Sequence, residues 1–396
     1  MRLITDDERR ARLGRRHALA APVATVEDAA RSVVALHGTD PATTVLSAVV
    51  RSNASIDDVQ TALYDNRSLV RVLAMRRTVF AVPADLVTTC WAGASDTVAR
   101  EQRRVLAKML VDSEVTDDPG PWIQRAEGIA LEFFGDRDDV TSADLSGADP
   151  LLATRVHIGT GEYAASPTVA SRLLTLLSAE GAMLSAEGAI VRAQPRGGWT
   201  STQFQWASAD AWSGDLGPRP TAEDAAVELA RRWLHTYGPA HEDDLQWWCG
   251  WTKTRTRAAL AAIDTVEVEM ADRPGLVLAE DVDPVEAPDP WVALLPALDP
   301  STMAWKHRDF VLGTHRGEVF DINGNGGPTV WVDGRIAGGW AHRDDGEVAF
   351  EVFDDVGVET TDCIAEQAAA LSVRLGEVRL KARARGWTPS EKRLRS

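Results

Sequence analysis

Three polar side chains lie close together between two apolar segments of the chain, and they are His37, Thr39 and Asp40. A neutral imidazole titrates near physiological pH and can accept a proton from a water molecule. The hydroxyl of Thr39 could orient the same water. Asp40 supplies a negative charge that would stabilise a positively charged reacting group. The residue types and their spacing therefore predict a site at which water is activated.

Each of the three residues also has a structural explanation. A histidine that follows a helix often donates to the last carbonyl groups of that helix. Asp40 precedes Pro41, and this order is typical of an N-cap followed by the first residue of a helix. Thr39 could act as a secondary cap. The residues alone leave the catalytic and the structural interpretation open.

Two helices are expected to position these side chains. Thr25 is a predicted N-cap, and the apolar residues that follow it recur at helical spacing as far as Val34, so the first helix should end near Leu36. The second helix should begin at Pro41, with buried positions at Val45, Leu46 and Val49. His37 and Thr39 are thus predicted to lie at a corner between two helices.

The composition limits the class of protein. A chain of 396 residues exceeds one ordinary hydrophobic core, so several modules are expected. No apolar run of about 18 residues and no signal-peptide core occur, which predicts a cytoplasmic protein outside the membrane. The cysteines are too few and too widely spaced for a disulfide framework or a metal site, and we expect them to be buried: Cys90, Cys249 and Cys363. Since no metal cluster, Walker loop or GxSxG motif is found, no cofactor is predicted.

The formal net charge of −17 argues against a protein that coats nucleic acid by bulk attraction. Basic residues are nevertheless clustered in four runs, and each run could contact phosphates or could be the solvated face of a helix. The runs are Arg9 to Arg16, Arg71 to Arg77, Arg100 to Lys108, and Lys253, Arg255 and Arg257. Fourteen tryptophans are present, most of them at predicted core positions. Trp91, Trp199 and Trp206 are candidates for stacking on bases.

The order of predicted elements indicates an α+β protein of tandem winged helix-turn-helix modules followed by a small β-sheet or barrel. We predict modules over residues 1–118, 119–215 and 216–290, and a C-terminal β-rich region with a basic tail over residues 291–396. The third module shows the plan best. A helix capped by Thr221 ends before Gly238, a short helix spans 242–248, and a recognition-type helix spans 253–263. Two wing strands follow, over 265–270 and 276–280.

The other two modules are predicted from weaker patterns. In the second module, helices over 122–134, after Thr141 and over 166–179 precede a hairpin over 182–184 and 189–191. In the first module, a recognition-like segment over 56–66 is followed by strands over 69–75 and 78–82.

Six segments resemble the winged-helix DNA glycosylases related to AlkZ and YcaQ. The resemblance covers nearly the full length, and its segments are Leu36–Pro41, Leu69–Arg71 with Met75–Thr78, Tyr237–Pro239, Leu295–Pro300, Asn323–Arg335 and Gly338–Trp340. At the corner, members of this family commonly have Gln-Ala-Gln-Asp-Pro. Asp40 and Pro41 match this motif, whereas His37 and Thr39 replace the two glutamines.

The resemblance implies a monofunctional DNA glycosylase that removes bulky cationic N-alkylpurines from double-stranded DNA and could unhook interstrand crosslinks. Alkylation at N7 or N3 makes the purine a cation, so the base can leave without being protonated. His37, Thr39 and Asp40 would then act on the water and on an oxocarbenium-like sugar. We expect a monomer, cytoplasmic and associated with the nucleoid.

The resemblance also implies where DNA would bind. Arg71, Arg76 and Arg77 could hold a phosphate, with an ion pair to Asp57, Asp58 or Asp65 as the alternative. Asn323 and Asn325 lie in a loop over 321–328 that could meet the minor groove or could be a turn needed only for folding. Lys253, Arg255 and Arg257 would contact phosphates from the third module.

Two other functions remain compatible with the sequence. A non-catalytic DNA-binding or damage-sensing protein could keep this scaffold after losing the glutamine pair. A transcriptional regulator fits less well, because the chain has a long C-terminal sheet region and no obvious sensor domain.

Overall fold

The computed structural model describes residues 1–159, 165–180, 190–381 and 386–396. The chain divides into two compact units. Unit 1 consists of Met1–Ala62 together with Val227–Ser396, and unit 2 consists of Leu63–Ala226. In the described ranges, no helix has the length and apolar character needed to cross a membrane. The division into four modules stays a prediction.

The N-terminal part of unit 1 is mainly helical, and its helices begin where capping residues occur. Thr5 caps the first helix by accepting a hydrogen bond from the Glu8 amide (3.2 Å), and Thr25 caps the second in the same way from the Asp28 amide (3.0 Å). The elements are α1 (Asp6–Arg16), α2 (Val26–Arg31), β1 (Leu36–His37), α3 (Pro41–Arg51) and α4 (Ile56–Gln60).

Most arginines of α1 do not form the solvated face of the helix. Arg9, Arg10 and Arg12 are buried, and each forms an ion pair with a carboxylate of the first turn of the same helix. Arg12 also pairs with Asp281 (3.0 Å). The expectation that this run could contact phosphates is therefore wrong for Arg9, Arg10 and Arg12, because their charges are paired inside unit 1, and it stays a prediction for the exposed Arg15.

Unit 2 packs helices against a small antiparallel sheet. Its core contains Leu106 from the long helix α6, together with Phe134 and Leu173. Strands β3, β2, β4 and β5 lie side by side in that order. The elements are β2 (Leu69–Leu73), β3 (Val79–Pro83), α5 (Val87–Cys90), α6 (Asp96–Asp112), α7 (Pro119–Phe134), α8 (Ser142–Ala148), α9 (Pro150–Ala153), α10 (Val169–Glu180), β4 (Ile190–Arg192), β5 (Trp206–Ser208) and α11 (Ala209–Ser213).

The predicted hairpin of the second module is only partly visible. Its first strand, over 182–184, and the start of its second lie outside the described residues. The described part of the second strand is β4, which pairs with β5 and with β2.

Three helices and a hairpin follow where the third module was expected. They are α12 (Ala222–Tyr237), α13 (Glu242–Cys249), α14 (Lys253–Ala261), β6 (Thr265–Val268) and β7 (Gly275–Leu278). Thr221 accepts from the Asp224 amide (3.0 Å) and caps α12, as predicted. The elements are thus confirmed, and their assembly into tandem winged helices stays a prediction.

The C-terminal part of unit 1 contains a four-stranded antiparallel sheet in the order β11-β10-β9-β8, an open sheet among the described residues. The sheet confirms the predicted strands, but the 18-residue helix α18 was not predicted. Its buried residues Ile364, Ala368 and Leu375 follow helical spacing and were the available signal. The elements are β8 (Val292–Leu295), α15 (Pro300–Met303), α16 (Asp309–Leu312), α17 (Arg316–Val319), β9 (Thr329–Val332), β10 (Arg335–His342), β11 (Val348–Val352), α18 (Val358–Leu375) and α19 (Pro389–Arg395).

Close packing at β10 explains the glycine pair that precedes Trp340. A Cβ atom on Gly338 would lie 2.1 Å from the Glu351 carbonyl oxygen, and one on Gly339 would lie 2.2 Å from Ser390 Oγ. Any larger residue would push the neighbouring strand or α19 away. Trp340 itself is buried and donates from Nε1 to the Leu295 carbonyl (2.8 Å), which fixes the edge of the core.

Candidate active site

The predicted corner lies at the N-terminal end of α3. Thr39 is exposed, and His37 and Asp40 are half-buried. The structure differs from the prediction in the helix that precedes the corner. Helix α2 ends at Arg31 rather than near Leu36, and Val34 adopts a left-handed conformation with φ of 63°. The chain therefore enters the corner through the two-residue strand β1.

Asp40 is the N-cap of α3, as the structural interpretation predicted. Its Oδ1 accepts a hydrogen bond from the Ala42 amide (3.1 Å), and Pro41 is the first helical residue. Thr44 Oγ1 donates to the His37 carbonyl (2.9 Å). The first turn of α3 thus holds the backbone of His37, and the Asp40 carboxyl group lies at the corner.

A buried ion pair fastens the other end of α3. Arg51 Nη2 and Nη1 lie 2.7 and 2.8 Å from Asp299 Oδ1 and Oδ2, and both side chains are fully buried. Ser47 Oγ donates to Asp299 Oδ2 (2.7 Å). Near the corner, Thr43 Oγ1 donates to the Ala297 carbonyl (2.7 Å). The segment from Ala297 to Asp299 therefore fixes α3 along its length.

Two aromatic side chains and a serine complete this support. Ser301 Oγ accepts from Arg51 Nη2 (2.7 Å) and lies 2.8 Å from His17 Nδ1. Complete burial, and then the charge of Arg51, hold the pKa of His17 well below its usual value, so His17 is neutral. Tyr237 Oη donates to the Val33 carbonyl (2.7 Å) and fixes the chain just before the corner.

Sequence reasoning missed the partnership of Arg51 with Asp299. The two residues are separated by 248 positions, and one sequence carries no information about which distant residues pair. The available signal was the segment Leu295–Pro300, which is one of the segments that resemble the family.

The basic residues of the third module lie on α14. Lys253 and Arg257 are exposed, and Arg255 is half-buried. Arg257 Nε donates to Glu242 Oε1 (3.0 Å), and the Arg255 guanidinium lies 5.3 Å from the centroid of the Trp251 ring. All three cations are therefore on the surface of unit 1, and their contact with DNA stays a prediction.

The loop over 321–328 is closed by its own first residue. Asp321 Oδ1 accepts from the amides of Asn323 (2.8 Å) and Asn325 (2.9 Å), and its Oδ2 accepts from the Asn325 side chain (2.9 Å). Asn323 is exposed and Asn325 is half-buried. Ile322 is fully exposed at the tip. The side chain of Asn325 thus organises the loop, and the minor-groove contact is untested.

The predicted cations of the first module occupy different environments in unit 2. Arg71 is buried within β2, only 2% exposed. Arg76 and Arg77 form the turn between β2 and β3 with positive φ of 52° and 59°, Arg76 half-buried and Arg77 exposed. Among the described residues, no carboxylate forms the alternative ion pair with Arg71.

Other sequence expectations need correction. Trp91 and Trp199 are buried and cannot stack on a base, whereas Trp206 is half-buried in β5. Cys90 and Cys249 are buried as predicted, but Cys363 is exposed. Within the described ranges, no three His, Cys, Asp or Glu side chains are placed to hold a metal ion.

Comparison with known proteins identifies the family of the chain. The profile of the family described as "DNA glycosylase AlkZ-like" matches residues 30–378, and the chain belongs to that family. The match includes the corner. No curated protein sequence matches the chain.

A solved structure, Streptomyces sahachiroi DNA glycosylase AlkZ, is similar in fold. The TM-score is 0.72 at 20% sequence identity, over 96% of this chain and 98% of the other. The two proteins thus share their fold over nearly their whole lengths.

Proposed function

We propose that this protein is a monofunctional DNA glycosylase that hydrolyses the N-glycosidic bond of bulky cationic N-alkylpurines and can unhook interstrand crosslinks formed at such bases. The observation that carries the proposal is the family match over residues 30–378, a range that includes His37, Thr39 and Asp40. The substrate is double-stranded DNA, and the protein acts as a monomer without a cofactor.

In the proposed reaction, the bond between the sugar C1′ and the purine nitrogen breaks, and its electron pair neutralises the cationic base. The sugar passes through an oxocarbenium-like state, which the Asp40 carboxylate stabilises. Water adds to C1′ and gives its proton to the His37 imidazole, with Thr39 orienting the water. The products are the neutral alkylpurine and an abasic site.

The geometry of α3 supports these roles. Thr39 is exposed and can reach a substrate, and the His37 backbone is held by Thr44. Capping uses the Asp40 carboxyl group only as an acceptor, which is compatible with a negative charge on that group. Holding these groups before the substrate arrives lowers the cost of orienting them in the transition state.

DNA contacts in this proposal come from exposed groups. Lys253, Arg255 and Arg257 on α14 neutralise backbone phosphates, as does Arg77 at the β2–β3 turn. The loop with Ile322 and Asn323 meets the minor groove, where apolar and amide side chains often enter.

Single-turnover excision tests the assignment of His37. Duplexes carrying N7-methylguanine or a bulkier N7-alkylguanine are incubated with the protein, and abasic sites are cleaved with alkali. We expect His37→Ala to lose most of the excision while duplex affinity stays near that of the wild type. His37→Gln restores the residue common in the family and should keep activity.

The matched control is His157→Ala, which removes an exposed histidine of unit 2. It should excise at the wild-type rate. Full activity in His37→Ala would overturn the mechanism. A wild-type protein that binds these duplexes but excises no cationic adduct would instead establish a non-catalytic DNA-binding or damage-sensing protein.

A further inference from the structure

Two arginines of unit 2 face each other across neighbouring strands. Arg71 of β2 is the register partner of Arg192 of β4, and both line a cavity between this sheet and α10. Thr175 and Ser178 of α10 line the same cavity, as does Trp206 of β5. The cavity thus combines two cations with two hydroxyl groups.

Neither guanidinium has an ion-pair partner among the described residues. Arg71 Nη2 donates to the Ala193 carbonyl (2.8 Å). Nε and Nη1 of Arg71 and Nη1 of Arg192 are buried, and none of these three atoms has a hydrogen-bond partner in the described part of the chain. Burying such donors unpaired is costly, so native proteins rarely leave several together.

Aromatic rings offset part of the positive charge. The Arg192 guanidinium lies 4.2 Å from the centroid of Phe204 and 4.5 Å from that of Trp206. The Arg71 guanidinium lies 5.6 Å from the centroid of Phe204. These contacts stabilise the cations through the ring faces but supply no acceptor to Arg71 Nε, Arg71 Nη1 or Arg192 Nη1.

The two charges also disfavour each other. Burial, and then the charge of Arg71, lower the pKa of Arg192 to about 9, and burial lowers the pKa of Arg71. A bound anion would relieve this repulsion. Guanidinium groups present planar donor pairs that match the oxygens of phosphate.

We propose that Arg71 and Arg192 form a binding site for a phosphate group, with Thr175 completing its ligands. The site is separate from the glycosylase chemistry, since it requires no residue of the corner. The phosphate is either a free ion or monoester, or a phosphate of the DNA itself. Because Arg71 is buried, the group must enter the cavity rather than lie along the protein surface.

Inorganic phosphate is the probe for the first experiment. Calorimetric titration and thermal melts are run on the full chain at constant ionic strength, with chloride replacing phosphate. We expect saturable binding and a rise in Tm with phosphate concentration, as linkage requires for a ligand of the folded state. Arg192→Met and Arg71→Met should each weaken phosphate binding at least tenfold.

The melts also report on folding of the variants. Without phosphate, Arg192→Met should melt at or above the wild-type Tm, because the repulsion with Arg71 is removed while much of the side-chain volume is kept. Arg192→Lys keeps the charge without the planar fork and should bind with intermediate affinity. The matched control is Arg104→Met, whose exposed arginine pairs with Glu101 (2.8 Å).

The proposal is overturned if phosphate does not bind the wild type, or if it raises the Tm of wild type and Arg192→Met equally. A second arm then identifies the source. If phosphate weakens duplex binding by the wild type but not by Arg192→Met, the site holds a DNA phosphate. If phosphate binding leaves duplex affinity unchanged, the site holds a free ion or monoester. Neither arm depends on excision by His37→Ala. The proposal of a phosphate site and the proposal of glycosylase function can therefore each fail without the other.

Discussion

At the scale of single residues, the Arg51–Asp299 pair is the most sensitive contact of the candidate site. Both side chains are fully buried, and removing one would leave the other charged without a partner. Breaking a buried pair in this way costs about 3–5 kcal/mol. We expect Asp299→Asn and Arg51→Met each to lower the free energy of unfolding by about that amount, measured by urea denaturation.

Removing both charges should cost less than the sum of the two single changes. The variant Arg51→Met with Asp299→Leu leaves no buried charge unpaired. The double-mutant cycle should therefore give a coupling energy that favours the intact pair. The control is Lys108→Met, which breaks an exposed pair with Asp112 and should change stability by less than about 0.5 kcal/mol. Additive single costs would show that the pair does not act as a unit.

Asp40 has a capping role and a proposed catalytic role, and two substitutions separate them. Asparagine caps a helix nearly as well as aspartate, whereas alanine costs about 0.5–2 kcal/mol. Asp40→Asn should therefore melt like the wild type, and Asp40→Ala should melt lower. If the charge stabilises the oxocarbenium-like sugar, both variants excise slowly in single-turnover assays. Wild-type excision by the stable Asp40→Asn would limit Asp40 to capping.

At the scale of elements, Asp243 connects α13 with two other segments of unit 1. Its carboxylate lies 2.8 Å from Arg273 in the β6–β7 turn, 2.8 Å from His307 Nε2 and 3.3 Å from Lys306 Nζ. Burial raises the pKa of Asp243, but the hydrogen bond with His307 and the neighbouring positive charges outweigh it and hold the pKa well below the usual range.

This shift gives a pH-dependent contribution to stability. A carboxylate with a depressed pKa in the folded state stabilises the protein above its unfolded pKa, near 4, and the contribution is lost as the pH falls below that value. Asp243→Asn should therefore lower the Tm at pH 7 and approach the wild-type Tm near pH 2. Asp112→Asn, which removes an exposed carboxylate, is the control and should show no such convergence. A Tm difference independent of pH would contradict the expected role of the charge.

Sequence patterns predicted most elements of unit 1 because their signals are local. Thr25, Asp40 and Thr221 each cap the helix that they were expected to begin, and capping depends only on neighbouring residues. The same local logic failed for the arginines of α1. Their carboxylate partners in the first turn were in the sequence, but their burial depends on Asp281 and other distant groups.

The candidate site was predictable only in part for the same reason. The corner was visible as a break between two apolar patterns, and Asp40 as its cap. Arg51, His17 and Ser301 were not predicted, because their partners are far away in the chain. Arg71 was expected at a surface, and its pairing with Arg192 follows from a strand register that no local pattern contains.

At the scale of the whole molecule, the net charge of −17 means that any DNA contact must come from local clusters. Each phosphate contact contributes about 0.9 to the slope of log K against log salt. Neutralising Lys253, Arg255 and Arg257 should reduce the magnitude of that slope by about 2 to 3, with little change in sequence preference. The effect is measured as the affinity for an undamaged duplex at salt concentrations from about 50 to about 200 mM, the range over which such slopes are determined.

The control for this series is the pair of substitutions Arg104→Gln and Lys108→Gln on α6, which remove exposed cations that already pair with carboxylates of the same helix. Their slope should stay near that of the wild type. An unchanged slope in the α14 variant would indicate that α14 serves folding and not phosphate contact.

The discontinuity of unit 1 has a consequence for the order in which the chain can fold on the ribosome. Unit 2 is contiguous and is fully synthesised while unit 1 consists only of its first 62 residues. Arg51 therefore lacks its partner until Asp299, 248 residues later, has been synthesised. Synthesis of that length takes roughly 12 to 50 s at about 5–20 residues per second. During that time α3 and the corner lack the buried partner that fixes them. The part of the chain that carries His37 is thus made early and completed late, when translation has passed only the first strand of the C-terminal sheet.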